Sequence, residues 1–258
     1  MMKRMGIGLQ MYTLRDVTAT DFEGTLRKVA AMGYEGVEFA GYGGIEAESL
    51  RDLLQELKLT AIGSHISLQA LDTNLENEIA FLKTIGANYA ICPWLPLEER
   101  DSESWRGHLV KFEQFGKRFR EEGITFAYHN HDFEFEVEID GEIVFDALYA
   151  RIAPEHLQVE MDIGWVQYSG KDPLAYIKKY TDRLPLLHLK DFRAGEKGKG
   201  IDTVELGRGD LPLVPIIGAA SEANVEWLIV EQDTCANPPL ESVAESMEWL
   251  KNNYLNQF

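Results

Sequence analysis

The chain has 258 residues, 45% of them hydrophobic, enough for one large domain or two small ones around a sizeable core. Its 25 basic and 43 acidic residues give a formal charge of −18 at pH 7, so its surface repels phosphodiester backbones and anionic lipid, and neither nucleic acid nor a membrane is expected as a partner. No apolar run approaches the roughly 18 residues of a membrane span, and Cys92 and Cys235, the only cysteines, lack the C-x-x-C spacing of a redox or zinc site.

The opening MMKRMGIGLQMY carries two early basic residues with no long apolar region behind them, so a secretory signal is not expected and a cytoplasmic location is. A first strand is expected over Met5–Tyr12, with Ile7, Leu9 and Met11 outward and Gln10 and Tyr12 inward. Thr20-Asp21-Phe22-Glu23 has the capping-box pattern of a helix start; Phe22, Leu26, Val29 and Ala30 keep helical spacing, and Gly33 closes the helix. The second strand, YEGVEF, turns Glu38 inward, and after the GYGG loop Leu50, Leu53, Leu54 and Leu57 mark an amphipathic helix. The third strand, LTAIGSHIS, ends near His65. Asn74 is expected to cap a helix with Leu75, Ile79, Leu82 and Ile85 on its core face, and NYAICPW is a fourth strand halted by Pro93 and Pro96. A long helix is expected from about Ser104 to Glu122.

The fifth strand opens the stretch ITFAYHNHDFEF. By the period of two, Ile124, Phe126 and Tyr128 fall on one side and Thr125, Ala127, His129 and His131 on the other, which carries two imidazoles to the strand's C-terminal end. GEIVFDALYA follows as a short helix. In VEMDIGW, Val159 and Met161 alternate with Glu160 and Asp162; in LLHLKD, Leu187 and Leu189 alternate with His188 and Lys190; in WLIVEQD, Leu228 and Val230 alternate with Glu231 and Asp233. Asp172-Pro173 and Asn237-Pro238 open helices, RAGEKGKG (Arg193–Gly200) is a basic loop whose Lys197 and Lys199 are expected to be solvated, and LGRGD is a short glycine-bearing loop.

This is about eight βα units in one domain over residues 1–258, an α/β chain expected to form a single (β/α)8 TIM barrel. An open doubly wound sheet would need a G-x-G-x-x-G turn after an early strand, and none stands there. A barrel gathers its inward strand ends at one mouth, here Glu38, His65, His129, His131, Asp162, His188, Lys190 and Glu231. Imidazole and carboxylate together suit one borderline-to-hard divalent metal ion, manganese, cobalt, zinc or magnesium. Trp94 and Trp165 are candidate apolar walls of a substrate site, with Glu38 and His65 also facing the substrate.

Through MDIGW, HLKD, the glutamate ending strand eight, GSH at strand three and YHNHDFEF at strand five, the chain resembles the xylose-isomerase-like TIM barrels, the sugar phosphate isomerase/epimerase superfamily, over about Met5 to Leu250. The resemblance implies a metal held by a strand-five glutamate, a strand-six aspartate, a strand-seven histidine and a strand-eight glutamate, the last three being Asp162, His188 and Glu231. His129 stands at the strand-five position. It keeps a metal ligand there but removes one of the two acid/base groups of the family's epimerases, which leaves His131 or Glu134 as a proton carrier or ligand. The YHNHDFEF form is more similar to inosose dehydratases and enzymes of keto sugars. Homo-oligomers are common among such barrels.

The expected chemistry is proton abstraction next to a carbonyl, through an enediolate, on a sugar, keto sugar or cyclitol. Lys190 is placed to neutralise an oxyanion. Reprotonation makes the enzyme an isomerase or epimerase; loss of a β-hydroxyl makes it a dehydratase. An apurinic endonuclease shares the fold but needs more metal ligands and a basic face. A catalytically inactive sugar-binding barrel is the reading from outside enzymology.

Overall fold

A computed structural model of the chain describes residues 3–193 and 202–258; Lys197 and Lys199 of the expected basic loop lie outside them. Eight strands, β1 (Gly6–Gln10), β2 (Gly36–Phe39), β3 (Thr60–His65), β4 (Tyr89–Cys92), β5 (Thr125–His129), β6 (Gln158–Asp162), β7 (Leu186–Leu189) and β8 (Trp227–Val230), close in the order β1-β8-β7-β6-β5-β4-β3-β2. Every neighbouring pair is parallel. Between and after them run α1 (Phe22–Met32), α2 (Ala47–Leu57), α3 (Leu68–Ile85), α4 (Ser102–Glu121), α5 (Val144–Arg151), α6 (Pro173–Lys179), α7 (Leu213–Glu222) and α8 (Pro239–Asn253). The chain is a (β/α)8 barrel, as its alternation predicts. Among the described residues no helix is long and apolar enough to cross a membrane.

The two faces of each strand do different work. Outward side chains pack under the helices: Phe126 on β5 meets Phe112, Phe115 and Phe119 of α4, with ring centroids 5.9, 6.1 and 5.5 Å away. Burying each such ring contributes about 1.5–3 kcal/mol. Inward side chains fill the barrel. At its N-terminal end Ile62, Tyr89, Ile91, Ala127, Leu186 and Ile229 form a separate apolar plug. Gly36 leaves room for it, since a Cβ there would stand 2.8 Å from Ile62 Cγ1. Above the plug the inward positions turn polar, and the register sets them side by side: Gln10 against Glu38, His129 against Glu160, Asp162 against His188.

Several local expectations are corrected. Asp21, not Thr20, caps α1, accepting from the Gly24 amide at 2.9 Å. Helix α3 begins at Leu68 with Ser67 as its cap; Asn74 is instead a kink inside it, with φ −138°. Asp101 accepts from the Glu103 and Ser104 amides and so starts α4 at Ser102. Tyr12 leaves the strand in a 3-10 turn and is 44% exposed rather than packed inside the barrel. Helix α8 begins at Pro239 behind Pro238.

Candidate active site

The mouth of the barrel holds two layers of buried ionisable groups. In the lower one, Glu160 Oε1 lies 2.8 Å from His65 Nε2, 3.0 Å from His129 Nδ1 and 3.1 Å from His188 Nε2. Glu38 Oε2 stands opposite, 3.0 Å from His65 Nε2 and 2.8 Å from His188 Nε2, and accepts from Gln10 Nε2 at 2.6 Å. The second oxygens, Glu38 Oε1 and Glu160 Oε2, are buried without a partner. Glu160 is the residue that sequence reasoning missed. Its signal was present, because it shares the inward face of β6 with Asp162 two residues later.

The upper layer is built around Lys190, which is fully buried. Its ammonium sits 2.8 Å from Asp162 Oδ2, 3.2 Å from Glu231 Oε2 and 2.8 Å from Asp233 Oδ2. Asp162 Oδ1 accepts from the Trp165 amide at 3.1 Å and caps the short helix Ile163–Tyr168. Asn130 bridges β5 to β6, accepting from the Asp162 amide at 3.0 Å. His188 joins the layers, because its Nδ1 is 2.8 Å from Glu231 Oε2 while its Nε2 reaches down to Glu38.

Electrostatics sharpen the contrast between neighbouring rings. Burial opposes charge on His65, but Glu38 and Glu160 outweigh it and lift the ring to about 9; His188 is raised in the same way. His129 is held well below its usual value by burial and then by the charges of His188 and His65. His131 is pushed down to about 3 by burial and by Lys190. Burial also opposes the Lys190 charge, but Asp162, Asp233 and Glu231 hold it as an ammonium. Glu231 is lowered against burial by Lys190 and His188, whereas burial keeps Glu160 and Asp162 raised.

A cavity of about 570 Å³ opens beside both layers, with His65, His129, His131, Glu231, Asp233 and Trp94 among its walls. Trp94 is 47% exposed and carries the Arg100 guanidinium 4.8 Å from its ring centroid. Trp165 lies one step back, 5.3 Å from the His131 ring and 5.5 Å from Lys190 Nζ. His131 Nδ1 is buried without a partner. Glu134 does not join the mouth. The chain turns after His131, and the Glu134 carboxylate receives the Tyr128 hydroxyl at 2.5 Å and the His131 amide at 2.8 Å. Tyr128 is an outward residue packed on Trp105, so the expectation of Glu134 as a proton carrier is corrected to a buried anchor behind β5. A second cavity of about 440 Å³ lies beside Tyr89, Arg120 and Glu226, and no histidine lines it.

Among the described residues, two overlapping sets of donors are close enough to hold a metal ion: His65, His129, Glu160 and His188, and His129, Asp162, His188 and Glu231. Both combine imidazole with carboxylate, and the three buried carboxylate oxygens without a hydrogen-bond partner, Glu38 Oε1, Glu160 Oε2 and Asp162 Oδ2, fit a cation.

Comparison with known proteins agrees with this architecture. An inosose dehydratase of Lacticaseibacillus casei is 31% identical over 165 residues, 57% of this chain and 54% of the relative. The chain thus spans about half the length of the curated relatives it matches. A sugar phosphate isomerase/epimerase structure from Parabacteroides distasonis superposes with a TM-score of 0.80 at 24% identity, covering 96% of this chain and 98% of that one. The IolI protein, solved with a bound zinc atom, superposes with a TM-score of 0.76 at 13% identity over 98% and 97% of the two chains. The profile of the xylose isomerase-like TIM barrels matches residues 26–253, and the chain belongs to that family.

Proposed function

We propose that the protein is a divalent-metal-dependent enzyme that removes a proton next to the carbonyl of a sugar, keto sugar or cyclitol, as an isomerase or epimerase or as a dehydratase. The observation that carries this reading is the convergence of four histidines and five carboxylates at one open cavity. So many buried ionisable groups are costly to a fold and gather where charge must be handled. The relatives named inosose dehydratase and the zinc-bearing structural neighbour support the same chemistry.

A bound divalent ion would be held around His129 and His188 and would supply Lewis-acid polarisation of a carbonyl or hydroxyl oxygen there. The chain's own groups do the rest. Lys190, kept charged by three carboxylates, supplies positive potential to an oxyanion forming at the cavity floor. Glu231 and Asp233 face the same cavity as proton acceptors. His131 is neutral at physiological pH, so its unpartnered Nδ1 serves as a hydrogen-bonding group for a substrate hydroxyl. Trp94 offers an exposed ring on which an apolar sugar face can rest.

The dehydratase branch draws support from His129. A site with imidazole in place of a second carboxylate base is poorly matched to symmetrical epimerisation, and the named relatives are dehydratases. The test is incubation with inososes and keto sugars in deuterated water, read by NMR and by absorbance of an enone. Deuterium entry without loss of water marks an isomerase or epimerase; a new enone marks a dehydratase. No exchange across the panel by the metal-loaded protein would leave a sugar-binding barrel.

A further inference from the structure

We infer that the substrate is extended and uncharged: a sugar or cyclitol that carries a second polyhydroxylated unit, as in a disaccharide or glycoside, with that unit lying past Trp94 in an adjoining cavity. This inference rests on the proposed sugar chemistry and adds the class of substrate that the site takes.

A cavity of about 460 Å³ lies next to the one at the barrel mouth, and the two share Ser67 and Trp94 as walls. Each falls within the roughly 300–1,000 Å³ of a small-molecule site. The second cavity is built by the loop after β4 and the first turns of α3, with Gln69, Asp72, Thr73, Glu98 and Glu99 on its walls. A single ring placed against His65, His129 and His131 occupies the first cavity and leaves the second, with its own polar walls, unused.

Trp94 lines both cavities, so it stands where they meet. Its ring is 47% exposed and yet held in place. Leu95 behind it is fully buried, and Pro93 and Pro96 restrict the backbone on either side. The Arg100 guanidinium packs 4.8 Å from the Trp94 ring centroid and 3.7 Å from that of Phe133, while its Nε donates to the Leu95 carbonyl at 2.8 Å. A large ring fixed in this way and left open is a preorganised platform, and the C–H face of a sugar ring matches it.

The second cavity offers the groups that recognise hydroxyls. The Gln69 amide and the Glu98 carboxylate have no partner among the described residues. Thr73 Oγ1 donates to the Gln69 carbonyl at 2.8 Å and keeps its lone pairs for an incoming donor. Asp72 Oδ2 stands 2.6 Å from Lys111 Nζ and Glu99 Oε2 stands 3.5 Å from His108 Nε2, which fixes both acceptors.

The charge of the walls disfavours a phosphorylated or acidic unit. Five carboxylates line the two cavities, those of Asp72, Glu98, Glu99, Glu231 and Asp233, and among the described residues no lysine or arginine does. Lys111 is paired with Asp72, and Arg100 is engaged by the Leu95 carbonyl and two rings. An anion would enter against this field, whereas hydroxyl donors meet acceptors.

The deciding experiment is ligand-observed NMR and calorimetry on the full chain supplied with zinc, with glucose, maltose, cellobiose and glucose 6-phosphate as probes. The second subsite gives saturation transfer to protons of both rings of a disaccharide, which binds at least about tenfold tighter than glucose. Thr73→Tyr, at an exposed position of α3, fills the second cavity and brings the two affinities within about threefold. The inference is overturned by transfer confined to one ring, by disaccharides that bind no better than glucose or not at all, by a preference that survives Thr73→Tyr, or by glucose 6-phosphate as the tightest ligand. Proton exchange on keto sugars in deuterated water is read separately. Exchange without a disaccharide preference sinks the second subsite alone; a disaccharide preference without exchange sinks the proposed chemistry alone. The affinity ratio is measured on the wild type, so it decides even where the variant fails to fold.

Discussion

Lys190 offers the sharpest test of the site's electrostatics. It is a fully buried ammonium with three carboxylate contacts at 2.8, 3.2 and 2.8 Å. Lys190→Met keeps most of the side-chain volume and removes the charge. Asp162 then remains buried without its cation and Glu231 keeps only His188, while Asp233, whose side chain is 27% exposed, recovers water. Stripping one partner from a buried pair costs about 3–5 kcal/mol, which for a chain of this size lowers the melting temperature by roughly 6–20 °C. The sign with pH follows from Glu231. With Lys190 present its folded pKa lies below the unfolded value near 4.3, so its stabilisation is present above that value and lost as pH falls through the folded one. Without Lys190, His188 still lowers Glu231, but Asp162 loses its largest lowering charge and burial raises it further, so the deficit of the variant is largest at neutral pH and shrinks toward acid pH. Urea unfolding followed by circular dichroism in chelator, at pH 7.5 and pH 5, reads both effects. Lys190→Met/Asp162→Asn removes one orphaned charge and recovers part of the loss. A variant within about 1 kcal/mol of wild type at pH 7.5, or a deficit unchanged by pH, would refute the account of Lys190 as the counter-ion of this layer.

Other perturbations probe the frame around it. The Asp191 carboxylate accepts from the amides of Phe192, Gly207, Gly209 and Leu211 at 3.0, 2.9, 2.9 and 3.2 Å; Asp191→Ala should cost about 3–5 kcal/mol and speed hydrogen exchange across residues 206–211. In α4, a Cβ at position 116 would collide with the backbone carbonyl of His156, whereas one at 107 meets nothing within 4 Å. Gly116→Ala is therefore expected to destabilise by at least about 2 kcal/mol and Gly107→Ala to stabilise by up to about 1 kcal/mol, as a pair of denaturation midpoints would report. Burial raises the Glu134 carboxyl to about 8, so its contribution to stability is full below the unfolded value and is lost as pH rises through about 8. Glu134→Gln should flatten the fall in melting temperature between about pH 5 and pH 8, and an unchanged slope would count against that shift.

The barrel was legible because its strands alternate cleanly and each ends in an ionisable group on the inward side. Period two places a residue on a face and says nothing of its depth along the barrel. Glu160, in plain alternation with Asp162, therefore carries no mark in the sequence of the three histidines it contacts. Glu134 failed for the opposite reason. Its nearness in sequence to His129 and His131 suggested a shared site, but the 3-10 turn at Phe133–Phe135 carries it behind the strand to Tyr128. The Asp140-Gly141 pair, with φ of 56° and 82°, marks a hairpin between Glu138–Ile139 and Glu142–Ile143, so the helix expected over GEIVFDALYA starts only at Val144. Asn74 resembled a cap by residue type, yet the helix was already running from Ser67, and cap chemistry alone does not say which of two eligible residues comes first.

The depth that the sequence conceals is what gives the site its organisation. The plug of Ile62, Ile91, Ala127, Leu186 and Ile229 packs the barrel from below, and polar groups begin one inward step above it. A buried carboxylate there is costly unless something positive meets it. The chain meets that demand twice, with imidazoles in the lower layer and with an ammonium in the upper. His188 belongs to both, so a change in either layer reaches the other through one ring held at each nitrogen. The outer shell of aromatic and aliphatic packing supplies stability and meets the mouth at Phe133, stacked 5.8 Å from the His131 ring. That stability lets the centre keep a concentration of charge that a core would not otherwise hold, facing a cavity into which a polyhydroxylated ligand fits.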